Sequence, residues 1–335
     1  MSSITSGIIN SFKRSAPKGL KTAWWLIKIT VPVTFAVMLM DYFGVLAAIA
    51  SITGPWFKFL GLPGVSAIVL ITSMFTNIYS VVAVLTLLDL PLREGMILAT
   101  MCLVSHGFII ETAVMKRTGS SAIGINLVRL AGSIAVGVIL NMVMPGSFSG
   151  IDKVYNPEQI TFIQAVYNWF ASVSVTVLKI FILVNILLFL QQLMEEFGWI
   201  KLIERPLFPL MKVMGLPKST TFSWVVANIV GLAYGSAIMI DQREKGRMTK
   251  EDADMLNHHI SISHSQLEDP LLFLTLGYTI HWLIWPRVVV AIAFVWIKKI
   301  FTASPNFRDR LHSEPEEFNA SQNSGSREVS AILKV

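Results

Sequence analysis

A histidine with an acid five positions later occurs twice in this 335-residue chain, as His106 with Glu111 and as His264 with Asp269. A serine precedes each histidine (Ser105, Ser263), and an arginine follows at the same distance in both cases, Arg129 and Arg287. Near neutral pH an imidazole can carry a proton or ligate a metal. A carboxylate can neutralise a cation, and a guanidinium can grip a carboxylate or an anionic solute. His264 and Glu268 stand four apart and share a face wherever that segment is helical. His106, Glu111, Arg129, His264, Glu268, Asp269 and Arg287 are therefore the candidate site. Three chemistries fit: proton coupling, recognition of a polar solute, and metal ligation, with the metal unspecified. The plainer alternative is a polar network that closes a broken helix.

These residues belong to a longer repeat. Lys28, Pro55, Gly61-Leu62-Pro63, Ser105-His106, Glu111, Gly119 and Arg129 in the first half match Lys179, Pro206, Gly215-Leu216-Pro217, Ser263-His264, Asp269, Gly277 and Arg287 in the second. A doubled unit in a membrane protein places a solute site where the repeats meet.

The elements that carry these residues read as membrane helices. The chain is 53% hydrophobic and 14% charged, with mean hydropathy +0.62. The apolar runs Trp24–Met40, Gly64–Leu88, Ser121–Val143, Val173–Leu190, Thr220–Ile240 and Leu271–Ile297 approach or exceed the roughly 20 residues a helix needs to cross hydrocarbon. The backbone must satisfy itself there, and the runs do not alternate as barrel strands would. The expected fold is an all-α polytopic membrane protein with two tandem repeats and broken or re-entrant helices.

The expected organisation is a cytoplasmic amphipathic lead over 1–21, repeat 1 over 22–145, a linker over 146–160, repeat 2 over 161–300 and a disordered polar tail over 301–335. In each repeat a long helix with an intramembrane Lys leads to a linker ending in Gly-Leu-Pro. An apolar helix with small residues follows, and in repeat 2 Gly231 and Gly235 suggest close helix packing. Next comes the Ser-His segment, too polar to face lipid and tolerated only when buried or lining a cavity. A helix carrying the Arg closes the unit. Full crossing by the Ser-His segment would give parallel repeats; re-entry would give inverted ones. Loop charges do not separate the two. Broken helices at matching positions favour inversion.

Other polar residues enter as candidates. Lys28 and Lys179 either contact a solute or snorkel to the interface. Asn77 and Asn228 lie in apolar runs and match only after a slip of three positions. His258, His259 and His281 have no counterparts in the first half. The net charge of +6 reflects basic residues at helix ends and calls for no nucleic-acid partner. Cys102 is the single cysteine, which excludes an internal disulfide and a Cys-rich metal site.

Gly-Leu-Pro, Ser-His with its acid, and the closing Gly together resemble the nucleoside recognition, or Gate, domain. The likeness is strongest from Ser263-His264-Ser265-Gln266-Leu267-Glu268-Asp269-Pro270 through Gly277, and it covers about residues 20–300. Related units occur in concentrative nucleoside transporters, in the membrane part of ferrous-iron permeases and in spore maturation proteins A and B. The resemblance implies a bacterial inner-membrane protein with a transporter-like core, without implying nucleosides. No phosphate-binding Gly-rich loop and no metalloprotease motif is present. The expected activity is transport or binding of a small polar or anionic solute, with Lys, Arg and His forming a positive mid-membrane cavity. A divalent-metal permease and a non-transporting assembly partner are the alternatives. Neither an enzyme nor a cofactor is expected. The lipid bilayer is the expected surrounding, with the N-terminus cytoplasmic. A homodimer and a partner membrane protein both stay open.

Overall fold

A computed structural model describes residues 2–88, 90–146, 161–199 and 205–303. The polar tail beyond Ala303 and nearly all of the linker 146–160 lie outside these residues. Residues up to Val295 form one compact unit, and a second begins at Trp296. Every candidate site residue belongs to the first unit.

Every regular element among the described residues is helical. They are α1 (Ser2–Tyr42), α2 (Val45–Lys58), α3 (Ser66–Phe75), α4 (Ile78–Leu88), α5 (Leu92–Ser105), α6 (Phe108–Arg117) and α7 (Ala122–Val143). The second half contributes α8 (Phe162–Glu196), α9 (Phe208–Val213), α10 (Thr221–Ile229), α11 (Leu232–Glu244), α12 (Lys250–Ser263), α13 (Glu268–Phe273) and α14 (Ile280–Ala303). Element for element, α1–α7 and α8–α14 follow the same order. Four of the described helical stretches are long and apolar enough to cross a membrane: Leu92–Arg117, Ala122–Val143, Phe162–Met194 and Ile280–Thr302. The helix α1 runs unbroken through residue 21, so the segment expected as a separate lead continues directly into the apolar run.

Glycine sets the ends of these helices. In α2 the Leu62 N–H donates to Phe57 O and the Gly61 N–H to Lys58 O, at 3.0 Å each. After α9 the Leu216 N–H donates to Met211 O (2.8 Å) and the Gly215 N–H to Lys212 O (3.2 Å). This is the Schellman pattern, which needs a left-handed residue after the helix. Gly61 and Gly215 supply it with φ of 66° and 73°. Leu62 and Leu216 are buried as the accompanying apolar contact, and Pro63 or Pro217 prevents continuation. The repeated Gly-Leu-Pro is therefore a helix stop. Gly119 and Gly277 end α6 and the turn after α13 in the same way.

The apolar run after each stop is a hairpin, where one apolar helix was expected. Val69 O of α3 lies beside Cys102 Sγ of α5, and Ser73 Oγ lies 3.3 Å from Ser105 Oγ. The two helices thus run in the same direction, and α4, which joins the end of one to the start of the other, must run back. In the second half α11 folds onto α10: Ser223 Oγ donates to Gln242 Oε1 at 3.0 Å, and a Cβ on Gly235 would fall 2.5 Å from Ala227 Cβ. Gly231, expected inside a helix as a packing glycine, stands at the reversal with φ 116°. The chain re-enters one element earlier than expected, while the Ser-His segment continues through a break.

The repeats are inverted. The equivalent helices α1 and α8 pack antiparallel along their lengths. Arg14 pairs with Glu196 (3.4 Å) at one end, and Tyr42 meets Phe162 (ring centroids 5.3 Å) at the other. Between them Phe12 packs on Phe189 and Phe35 on Trp169. Matching helices of opposite direction require a pseudo-twofold axis across the helix axes.

Two glycines with open space at Cβ separate conformation from packing. Gly277 has φ 80°, whereas Gly54 lies inside α2. Gly277→Ala should cost about 1–2 kcal/mol, the penalty for a left-handed alanine. Gly54→Ala should stabilise by about 0.5–1 kcal/mol. Thermal melting in detergent checks both, and shifts of the same sign would refute the assignment.

Candidate functional site

Breaking a helix inside a membrane frees carbonyls that must find donors. At the end of α5, Cys102 O accepts from the His106 backbone N–H (2.8 Å) and from its ring Nδ1 (3.2 Å). The guanidinium of Arg129, on α7, donates Nε to Val104 O at 3.0 Å and Nη2 to His106 O. The second half repeats this arrangement atom for atom. Ile260 O accepts from the His264 backbone (3.0 Å) and its Nδ1 (2.7 Å). Arg287 donates Nε to Ile262 O (3.1 Å) and Nη2 to His264 O (2.6 Å). Both arginines are fully buried. They replace the missing intrahelical donors at the two breaks, a role served by the fixed fork of a guanidinium.

Each break is also held by its hairpin. The Gly107 N–H donates to Ser73 O (2.8 Å) and the Ser265 N–H to Ala227 O (3.0 Å). Gly107 has φ 60°; Ser265, at the equivalent place, has φ 49° and is the one non-glycine of positive φ among the described residues. Serine there carries roughly 1–2 kcal/mol of backbone strain, which the Ala227 contact helps to hold.

These constraints point the two histidines at each other. Their ring centroids lie 5.2 Å apart. Glu111 Oε1 sits 2.9 Å from His106 Nε2 and 3.2 Å from His264 Nε2, and Glu111 Oε2 lies 2.8 Å from Arg129 Nη2. One carboxylate from the first half thus serves both histidines. Asp269, its shorter counterpart, places Oδ2 3.7 Å from His106 Nε2 and accepts no hydrogen bond at that atom. Repeat logic suggests matched pairs, Arg129 with Glu111 and Arg287 with Asp269. The first forms; among the described residues the second has no counterpart at ion-pair distance.

Glu268 sits beside this group. Tyr79 of α4 donates its hydroxyl to Glu268 Oε1 at 2.9 Å. Tyr79 was not singled out by sequence, where it is one of several hydroxyls in that run. Asn77 lies at the turn of the first hairpin and caps α4 by accepting from the Ser80 N–H at 3.1 Å. Asn228 is buried near the second turn, where its Nδ2 donates to Trp224 O (2.9 Å). Gly231 holds the place equivalent to Asn77, which explains the slipped register. Lys28 lies on an exposed face of α1. Lys179, also exposed, donates to Thr275 O at 3.4 Å. Neither lysine joins the histidine cluster. His259 is buried against Ser263 (2.7 Å) and Trp224, and His258 bonds Asp254 O, so both stand apart from it.

A Bacillus subtilis (strain 168) protein described as an uncharacterized membrane protein, YvoD, is 28% identical to this chain over 294 residues, 84% of this chain and 93% of that one. No protein-family model matches the chain, and no solved structure matches it. The apolar helices and this likeness agree that the chain is a membrane protein.

The arginines should differ in cost. Arg129→Gln leaves Glu111 buried without its cation and should lose about 3–5 kcal/mol. Arg287→Gln loses charged hydrogen bonds to carbonyls and should lose about 1.5–3 kcal/mol. Adding Glu111→Gln to Arg129→Gln should recover part of the first loss. Melting of the three variants in detergent checks the order; equal losses in both single variants would break the assigned asymmetry.

Proposed function

We propose that the chain is a permease-like membrane protein of the Gate type, handling a small polar solute where its inverted repeats meet. The observation that carries this reading is a convergence: two hairpin turns and two helix breaks bring His106, Glu111, His264 and Asp269 together inside the bundle. Irregular backbone at such depth is tolerated where it lines a solute path. A narrow crevice with room for about one water lies near this group between the halves. Tyr79 and Thr86 line it from one side and Thr176, Lys179 and Thr275 from the other. Tyr79 connects that crevice to Glu268, the neighbour of Asp269.

Each arginine spends Nε and Nη2 on carbonyls and keeps a buried Nη1 without a hydrogen bond, Lys28 is elsewhere, and Lys179 reaches the crevice. A purely structural network would satisfy its own polar atoms, yet Asp269 Oδ2 and both side-chain polar atoms of Gln266 are buried without hydrogen bonds. That favours a solute site over an inert assembly partner. Residence in a bacterial inner membrane with a cytoplasmic N-terminus fits the leading basic residues Lys13, Arg14, Lys18 and Lys21.

Uptake into proteoliposomes, screened across nucleosides, organic acids and divalent metals, tests the reading. Wild-type protein should take up at least one class. Tyr79→Phe should slow that uptake while costing only about 1 kcal/mol of stability. No uptake of any class, or uptake indifferent to both Tyr79→Phe and His264→Ala, would overturn the proposal.

A further inference from the structure

The tautomers of the two histidines create a local conflict. A carbonyl only accepts, so the contacts to Cys102 O and Ile260 O require a hydrogen on Nδ1 of both His106 and His264. In the neutral ring this leaves Nε2 as a bare lone pair. Both Nε2 lone pairs then face the same acceptor, Glu111 Oε1, at 2.9 and 3.2 Å. Asp269 Oδ2, more than nine-tenths buried and without a hydrogen bond, is a fourth acceptor 3.7 Å from His106 Nε2. Three acceptors converge with Asp269 beside them, and a positive species between them, a shared proton or a metal cation, relieves the conflict.

Spacing and ligand chemistry identify its class. The ligand atoms of His106, Glu111 and His264 lie within 4.8 Å of one another. A tetrahedral ion with bonds of about 2.0–2.1 Å to nitrogen and oxygen has ligand-to-ligand edges of about 3.3 Å, close to the 2.9 and 3.2 Å from Glu111 Oε1 to the two Nε2 atoms. Each histidine already donates its other nitrogen to a backbone carbonyl, the usual orienting contact behind a metal-bound imidazole. Two imidazoles and a carboxylate suit zinc and its borderline neighbours better than calcium or magnesium, which prefer all-oxygen shells.

We infer that His106, His264 and Glu111 form one divalent transition-metal site, ligated from both inverted repeats, with the Asp269 carboxylate beside it. It rests on the reading of this junction as the solute site and specifies its ligand as a cation. Neither repeat supplies enough ligands alone, so the site exists only when the halves are assembled. Arg129 holds Glu111 by its other oxygen, keeping Oε1 turned toward the histidines.

The test is calorimetric titration of the full-length protein in detergent, without a histidine tag, using Zn2+, Co2+ and Mg2+. One Zn2+ or Co2+ per chain should bind, with Mg2+ much weaker. Bound Co2+ should show the intense visible bands of a four-coordinate complex. Glu111→Gln, His106→Gln and His264→Gln should each weaken binding by at least about tenfold, the scale seen when a metal's supporting contacts are lost. Asp269→Asn, which alters no ion pair with an arginine, serves as the variant most certain to fold and should weaken it similarly. Absence of saturable binding, or binding unchanged in folded Asp269→Asn and His264→Gln, overturns the site. The same proteoliposomes, loaded with a metal-sensitive dye, keep the two proposals apart. Stoichiometric metal binding without uptake of any solute class leaves the metal site standing and removes the permease reading. Uptake of another solute without metal binding does the reverse.

Discussion

The fold depends on donation by two buried guanidiniums to carbonyls that a broken helix cannot satisfy. Lipid offers no water to a freed carbonyl, so an interrupted helix at depth is unstable unless another element supplies the donor. Arg129 and Arg287 do this from α7 and α14, each binding the carbonyls one and three places before Gly107 or Ser265. With the carbonyls secured, the chain can turn at the break. With the chain turned, the histidine at its corner is fixed by its own Nδ1 contact and points inward. The break, the arginine and the histidine orientation are one arrangement, made twice.

Inversion turns two such arrangements into one site. Because α1 and α8 run antiparallel, the two corners face each other across the pseudo-twofold axis, and the imidazoles meet. The symmetry is then broken by one methylene. Glu111 reaches both histidines and Arg129, whereas Asp269 stops short at 3.7 Å from His106. The shorter acid leaves a carboxylate oxygen inside the bundle that faces His106 without a hydrogen bond.

Much of this was legible in the residue string. The repeat, the apolar runs, the Gly-Leu-Pro stops and the pairing of Ser-His with a distant Arg all show as residue types at fixed spacings. The hairpins did not, because their reversals depend on backbone dihedrals at Thr76 and Gly231 inside long apolar runs. Gly231 read as a packing glycine because spacing alone cannot distinguish a close approach from a left-handed turn. The arginines read as partners of acids because side chains are visible in a sequence and freed carbonyls are not. Ser265 gave no warning of its positive φ, since glycine is the residue that announces one. Tyr79 reaches Glu268 only through the fold, across nearly two hundred residues.

The central claim is that the two halves share a single ion. X-ray absorption at the zinc edge of the zinc-loaded protein addresses it most directly, because multiple scattering counts imidazoles. The account predicts two imidazoles and at least one oxygen ligand per zinc at about 2.0–2.1 Å. A shell with one imidazole or none, or a six-coordinate shell of oxygens alone, would contradict it.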